Sequence, residues 1–222
     1  MKRLAIPVLL AVLFACASLA GAQPVYVEPE SVGPKLDVPS LLPLMKQGEL
    51  CFVTSKDNGR LKQATAIALI NAPQAIVWET VVNFAAYPEF MPTVNKAEVV
   101  KREDGEVVVD YRLEVPGPNI DFTVRHRFVP QSQVDVWLED DKGPLKKGGW
   151  RFELLPADGG QTILLYDFYS DLTDVNWIVR WLLNKHPVIE SGLNVGSALI
   201  TVQSIKRRAE TQAACPKPAE KP

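Results

Sequence analysis

The chain has 222 residues, 47% of them apolar and 23% charged, with a formal net charge of −2. That is the composition of a folded domain with a sizeable core, and without a block of like charge it offers no surface to nucleic acid. Two histidines and three cysteines are too few for a multi-ligand metal site, and no cofactor is expected.

Met1-Lys2-Arg3 is a positive start, Leu4 to Ala20 is nearly all apolar, and Ala20-Gly21-Ala22 offers a small-residue cleavage site. Residues 1–22 therefore read as a signal peptide. A membrane anchor is the weaker reading, because Pro7 interrupts a short apolar run. Leu13-Phe14-Ala15-Cys16 resembles a bacterial lipobox in which Cys16 would carry lipid, but Phe14 departs from the residue usual there. Export, most simply to the periplasm, places the remaining thiols in an oxidising compartment. Cys51 and Cys215 could then pair, or remain two free thiols.

Residues 23–39 hold Pro24, Pro29, Pro34 and Pro39 and read as a linker. The domain is expected over 40–212. Ser40 could cap a short helix over Leu41 to Gln47. Glu49 to Thr54 and Leu61 to Ile70 read as strands around the Asp57-Asn58-Gly59 turn. Pro73 would open a helix over Gln74 to Asn83 as its first residue, capped by Asn71 or Ala72. Phe84 to Phe90 is a second short helical piece. Period-2 alternation then marks Asn95 to Arg102, Glu106 to Val115, Ile120 to Val129, Val134 to Leu138, Trp150 to Leu154 and Thr162 to Ser170. Such alternation belongs to an antiparallel meander with one apolar face. Trp177 to Arg208 is a long apolar helix broken near His186-Pro187. Residues 213–222 read as a disordered tail.

Ala72-Pro73-Gln74-Ala75-Ile76-Val77-Trp78, followed by Val82-Asn83-Phe84-Ala85-Ala86-Tyr87-Pro88-Glu89-Phe90-Met91-Pro92, resembles the signature of the START-like helix-grip superfamily (SRPBCC). The branch it is most similar to is the polyketide cyclase/dehydrase and coenzyme Q-binding group. The resemblance covers roughly residues 49 to 210. It implies an α+β fold in which a curved antiparallel sheet of roughly six to seven strands grips the C-terminal helix around a cavity. Members mostly bind lipids, sterols, isoprenoids or polyketides, and a minority are cyclases or dehydratases.

The expected cavity wall follows from strand parity and this resemblance. Tyr111, Leu113, Phe122, Trp150, Phe152, Tyr166 and Phe168 share the apolar face, with Trp78, Phe90 and Met91 from the helical pieces. Leu193 and Ser197 are expected from the last helix. Its Asn194, Gly196 and Ser197 are small or polar where a cavity would reach the helix or the helix would lift. His126 is in phase with Phe122 and Phe128. It is a weak catalytic candidate, and a core histidine is the plainer reading. Asp167 falls on the other face, as a solvated group or a partner of Arg151 or Arg125. Arg125, Arg127, Arg151 and Lys101 read as a charged sheet face, with an anionic headgroup site as the sharper alternative. The Tyr87 to Pro92 run is either a packed lid or a gate touching a membrane. The expected function is to bind or carry a hydrophobic small molecule, with transient membrane contact and no nucleic acid; a cyclase/dehydratase-type enzyme using the same cavity and a cavity-free envelope interaction module are the alternatives.

Overall fold

The computed structural model describes residues 36–103, 105–114, 119–139, 145, 147–172 and 177–215. The expected signal peptide, Cys16 and the last seven residues lie outside them. Eight strands form one antiparallel sheet: β1 (Leu50–Ser55), β2 (Leu61–Ile70), β3 (Val94–Glu103), β4 (Glu106–Leu113), β5 (Ile120–Val129), β6 (Gln133–Leu138), β7 (Gly148–Ala157) and β8 (Gln161–Ser170). Their order is β1-β2-β8-β7-β6-β5-β4-β3, so the meander from β3 to β8 ends beside the first hairpin. The helices are α1 (Leu42–Met45), α2 (Gln74–Val82), α3 (Tyr87–Phe90), α4 (Trp177–Lys185) and α5 (Pro187–Ala214).

Local chemistry sets most boundaries. In the first hairpin Gly59 takes φ 76°, a left-handed value that favours glycine. Asn58 Oδ1 accepts from the Arg60 amide at 3.1 Å and closes that turn. Pro73 is the N-cap of α2 rather than its first helical residue, and its carbonyl accepts from Ile76 and Val77. Ser40 does not cap a helix; it lies within a 3-10 turn over Val38–Leu41 and donates to the Asp37 carbonyl. The break at His186-Pro187 is present, and α5 runs on to Ala214.

The two faces of the sheet differ as parity requires. On one, Ala66, Ala68, Leu164 and Tyr166 pack with Val202, Ile205 and Ala209 of α5 in the main core. On the other, Ile67, Leu69, Ile163 and Leu165 form a second core with Val38 and Met45. Residues 36–45 are therefore a cover for the back of the sheet, and the linker expected up to residue 39 stops short of Leu36. Helix α5 packs chiefly on β2 and β8 and against α2. Asn194 holds it there. Its Oδ1 accepts from the Ser170 amide at 2.9 Å, and its Nδ2 donates to the Ser170 and Glu190 carbonyls at 3.3 and 3.0 Å. The helix is clamped at Asn194, not lifted. Among the described residues no helix is long and apolar enough to cross a membrane.

Candidate functional site

The site is the part of the α5-facing side of the sheet that lies beyond β2 and β8. Tyr111 (β4), Phe122 (β5), Trp150 (β7) and Phe168 (β8) form a row across it. Ring centroids are 5.7 Å apart from Tyr111 to Phe122, 6.3 Å from Phe122 to Trp150 and 6.0 Å from Trp150 to Phe168. Tyr166 continues the row at 5.8 Å from Phe168 and stacks on Phe152 at 4.5 Å. Strand pairing sets this row, because Tyr111 faces Phe122 and Trp150 faces Phe168 in register.

Phe122, Phe128, Trp150 and Phe168 stay half-buried although they lie in the interior of the sheet, with strands on both sides. A large apolar ring in that position normally disappears into the core. Here it stays partly exposed: α5 packs on the β2–β8 side, and the remaining strands meet smaller pieces. The result is an aromatic groove.

Those smaller pieces are α2, α3 and the 3-10 turn Phe84–Ala86 between them. Phe84 stacks on the His126 ring at 4.1 Å, and Tyr87 lies 6.1 Å from Tyr111. Trp78 meets Phe128 edge-on at 6.3 Å. Phe84 and Tyr87 are wall residues that strand parity could not find; their signal was the Asn83-Phe84-Ala85-Ala86-Tyr87 stretch itself. Tyr87 is buried, and its hydroxyl donates to the Val81 carbonyl at 2.6 Å. This supports the packed-lid reading of the run, with Met91 also buried.

His126 is 1% exposed. Burial pulls its pKa down to about 3, against the opposing bond to Val107, so the ring is neutral at physiological pH. Nδ1 lies 3.2 Å from the Val107 carbonyl. A carbonyl only accepts, so Nδ1 carries the proton and Nε2 is left as an acceptor. Burial also drives the Tyr111 and Tyr166 hydroxyls well above their ordinary range, so both remain donors. The groove thus presents apolar rings, with Tyr111, His126 and Tyr166 buried among them. It has the make-up of a small-molecule site with few polar anchors.

Of the expected wall, the structure brings together Trp78, Phe90, Met91, Tyr111, Leu113, Phe122, His126, Trp150, Phe152, Tyr166 and Phe168 in or against the main core. Leu193 and Ser197 are exposed instead. The buried stripe of α5 runs through Glu190, Asn194, Ala198 and Val202, which puts 193 and 197 off the inner face. Cys51 and Cys215 are both exposed and free, so no bridge ties β1 to the end of α5. A separate pocket of about 440 Å³ lies at the rim, lined by Pro88 to Pro92, Val94, Asn95 and Glu114. It is open and polar, and it lies outside the aromatic row.

The reverse face carries the charges. Arg125 donates to Glu139 at 2.5 Å and to Glu103 and Glu106 at 2.8 Å, which together raise its pKa further. Lys101 pairs with Glu103, Arg127 with Glu106 and Arg151 with Asp135. These cations are matched by carboxylates and present no anionic headgroup site. Asp167 is on this face, as parity requires, but it is buried rather than solvated. It accepts from Thr65 at 2.5 Å and Gln63 at 2.7 Å, with Arg151 opposite it in register. Among the described residues no three His, Cys, Asp or Glu side chains converge to hold a metal.

A family model described as polyketide cyclase / dehydrase and lipid transport matches residues 70–186. The chain belongs to this family. Solved structures place its fold among START-like proteins. A STAR-related lipid transfer protein from Xanthomonas axonopodis superposes with a TM-score of 0.55 at 18% identity, covering 73% of this chain and 94% of that one. The Zhui aromatase/cyclase from a Streptomyces species gives 0.52 at 16% identity, covering 68% and 94%. A Thermus thermophilus protein gives 0.58 at 16%, covering 68% and 99%. Among curated proteins, the ribosome association toxin RatA of Vibrio cholerae is 28% identical over 110 residues, 49% of this chain and 75% of the toxin. The persistence and stress-resistance toxin PasT of Escherichia coli is 24% identical over 110 residues, 49% of this chain and 68% of that protein. The START-like resemblance read from Ala72 to Pro92 is thus met by the family match and by the fold of these cyclase and lipid-transfer proteins.

Proposed function

We propose that this chain is an exported binding or carrier protein for a hydrophobic small molecule of lipid, isoprenoid or polyketide-like type, held in the aromatic groove. The observation that carries this is the set of half-buried rings within the sheet, Phe122, Phe128, Trp150 and Phe168. Covering roughly 300 Å² of apolar ligand surface there is worth about 7 kcal/mol before the costs of association. The family's lipid-transport description and the Xanthomonas lipid transfer protein support the same reading. The test is mass spectrometry of solvent extracts from the purified chain, followed by uptake from a lipid and isoprenoid panel. A bound apolar compound that competes with a panel member is the expected result. Empty protein that takes up nothing overturns the proposal.

A cyclase-type activity is the alternative that the Streptomyces neighbour suggests. The lowered basicity of His126 weighs against it, since a general base works best with a pKa near the working pH. Ribosome association, the property in the Vibrio relative's name, finds little support in a reverse face whose named arginines are matched by carboxylates. The proposal therefore includes no nucleic-acid partner. Export rests on residues 1–22, and fusion of those residues to an enzyme active only outside the cytoplasm tests it.

A further inference from the structure

The groove face holds three polar tips among its rings. Tyr111 (β4), His126 (β5) and Tyr166 (β8) all stand on the α5-facing side of the sheet, so each side chain ends away from the strands. Tyr111 and His126 are on neighbouring strands, with ring centres 6.2 Å apart. Other rings close over their flanks: Phe84 lies 4.1 Å from His126, and Phe122 lies 5.7 Å from Tyr111.

Buried polar groups are ordinarily paired within a fold. Tyr87 follows that rule through the Val81 carbonyl, and Asp167 through Thr65 and Gln63. Tyr166 has Thr201 of α5 beside its hydroxyl. His126 uses Nδ1 for the Val107 carbonyl. Among the described residues nothing bonds its Nε2, and nothing bonds the Tyr111 hydroxyl. Yet among those residues no side-chain nitrogen or oxygen is both sealed from solvent and without a partner. The slight exposure of the two residues, 1% for His126 and 6% for Tyr111, therefore includes these two atoms. A small group lying in the groove can touch both.

Charge and proton count narrow what that group can be. Within strands β4 to β8 every Asp, Glu, Lys and Arg falls on the opposite parity, and so on the reverse face. The helical pieces between β2 and β3 carry Glu79, which is exposed, and Glu89, which accepts from Arg208 at 2.8 Å. Within α5, Glu190 pairs with Arg60 and Lys206 with Glu49, Arg207 reaches Ser204, and Glu210 accepts from the Asn71 amide. Arg180 and Lys185 of α4 are exposed. A carboxylate or phosphate on the two tips would therefore meet a neutral imidazole and a phenol, with no cation beside them. An ether or carbonyl could accept from Tyr111 but would set its lone pairs against Nε2, which only accepts. A hydroxyl suits both, donating to Nε2 and accepting from Tyr111.

We infer that the groove selects a hydrophobic ligand ending in a neutral hydroxyl, seated inward on Tyr111 and on Nε2 of His126, with its apolar body along Phe122, Trp150 and Phe168. The inference rests on the carrier reading above and deepens it: the ligand is a long-chain alcohol, an isoprenoid alcohol or a phenol, rather than an acid, a phosphate or a hydrocarbon.

The test is binding of matched compounds to the purified chain, read by displacement of the dye N-phenylnaphthylamine. One set is dodecanol, dodecyl methyl ether and dodecanoate. A second is farnesol and its methyl ether, and a third is nonylphenol and its methyl ether. In at least one set the hydroxyl compound is expected to bind about tenfold more tightly than its ether, because the ether leaves Nε2 unpaired. His126→Phe should erase that preference. Tyr111→Phe keeps the ring and loses only the donor, so it should weaken alcohol and ether alike. Equal binding of alcohol and ether in every set, tighter binding of dodecanoate than of dodecanol, or a preference that survives His126→Phe overturns the inference. Should the His126 variant not fold, the comparison in the parent protein decides alone. A chain that binds no member of any set fails on the carrier reading and takes this inference with it. One that binds every member of each set equally keeps the carrier reading and loses the hydroxyl.

Discussion

His126 and Asn194 show how single polar groups inside the fold become measurable. With a folded pKa of about 3 against 6.5 outside the fold, the unfolded chain binds the extra proton. Stability attributable to this residue is therefore present above pH 6.5 and is lost as pH falls from there towards 3. Between pH 7 and pH 5 the loss should be about 2 kcal/mol, and His126→Phe should flatten that part of the pH–stability curve in denaturant titrations. An unchanged slope would show that other groups govern acid sensitivity. Asn194→Leu removes the partners of the Ser170 amide and carbonyl inside the protein. It should cost about 2–4 kcal/mol and leave groove ligands bound by the folded fraction. The orientation of His126 was legible from strand period alone. The role of Asn194 was not, because a polar residue on an apolar helix reads as a defect until its strand partner is known. Asp167 was placed on the correct face, and of its two readings the cross-strand place beside Arg151 holds while the solvated one does not, since parity gives direction but not depth.

At the level of elements, the strands, turns and helix break were legible because period, glycine and proline mark them locally. The cover formed by residues 36–45 was not. Pro39 put its first residues in the linker and the rest read only as a short helix, and Val38 and Met45 become core only once Ile67, Leu69, Ile163 and Leu165 present a surface. The cross-strand cluster around Arg125 joins the ends of β3 to β6. Burial pushes the Glu106 carboxyl up, but Arg125 and Arg127 outweigh it and hold it below the usual range. Its contribution is thus present above the ordinary carboxylate value and lost as pH falls through its lowered one. Arg125→Met leaves Glu103, Glu106 and Glu139 facing each other. The variant should melt lower at pH 7 and recover towards pH 4.5, whereas the parent should only weaken; a parallel decline would refute the cluster's role. In the groove, Trp150→Ala should cost about 1–2 kcal/mol, less than a fully buried aromatic, yet change which ligands are retained, read by competition with the extracted compound.

For the molecule as a whole, local pattern gave strands and helices but not their neighbours. The α5-over-sheet arrangement came from the resemblance carried by Ala72 to Pro92, and the eight-strand order appears only in three dimensions. That order has a kinetic side. The β1–β2 hairpin joins the sheet only through β8, and bonded partners such as Gln63 and Asp167 are 104 residues apart. Until β8 exists, the nascent chain holds a lone hairpin and an open meander, each with unpaired edges. Loop closure of that length comes late and is slow, on the scale of about milliseconds to seconds for sheets dominated by distant pairs. A chain built this way stays threadable until β8 has been made, a property that the proposed export would use.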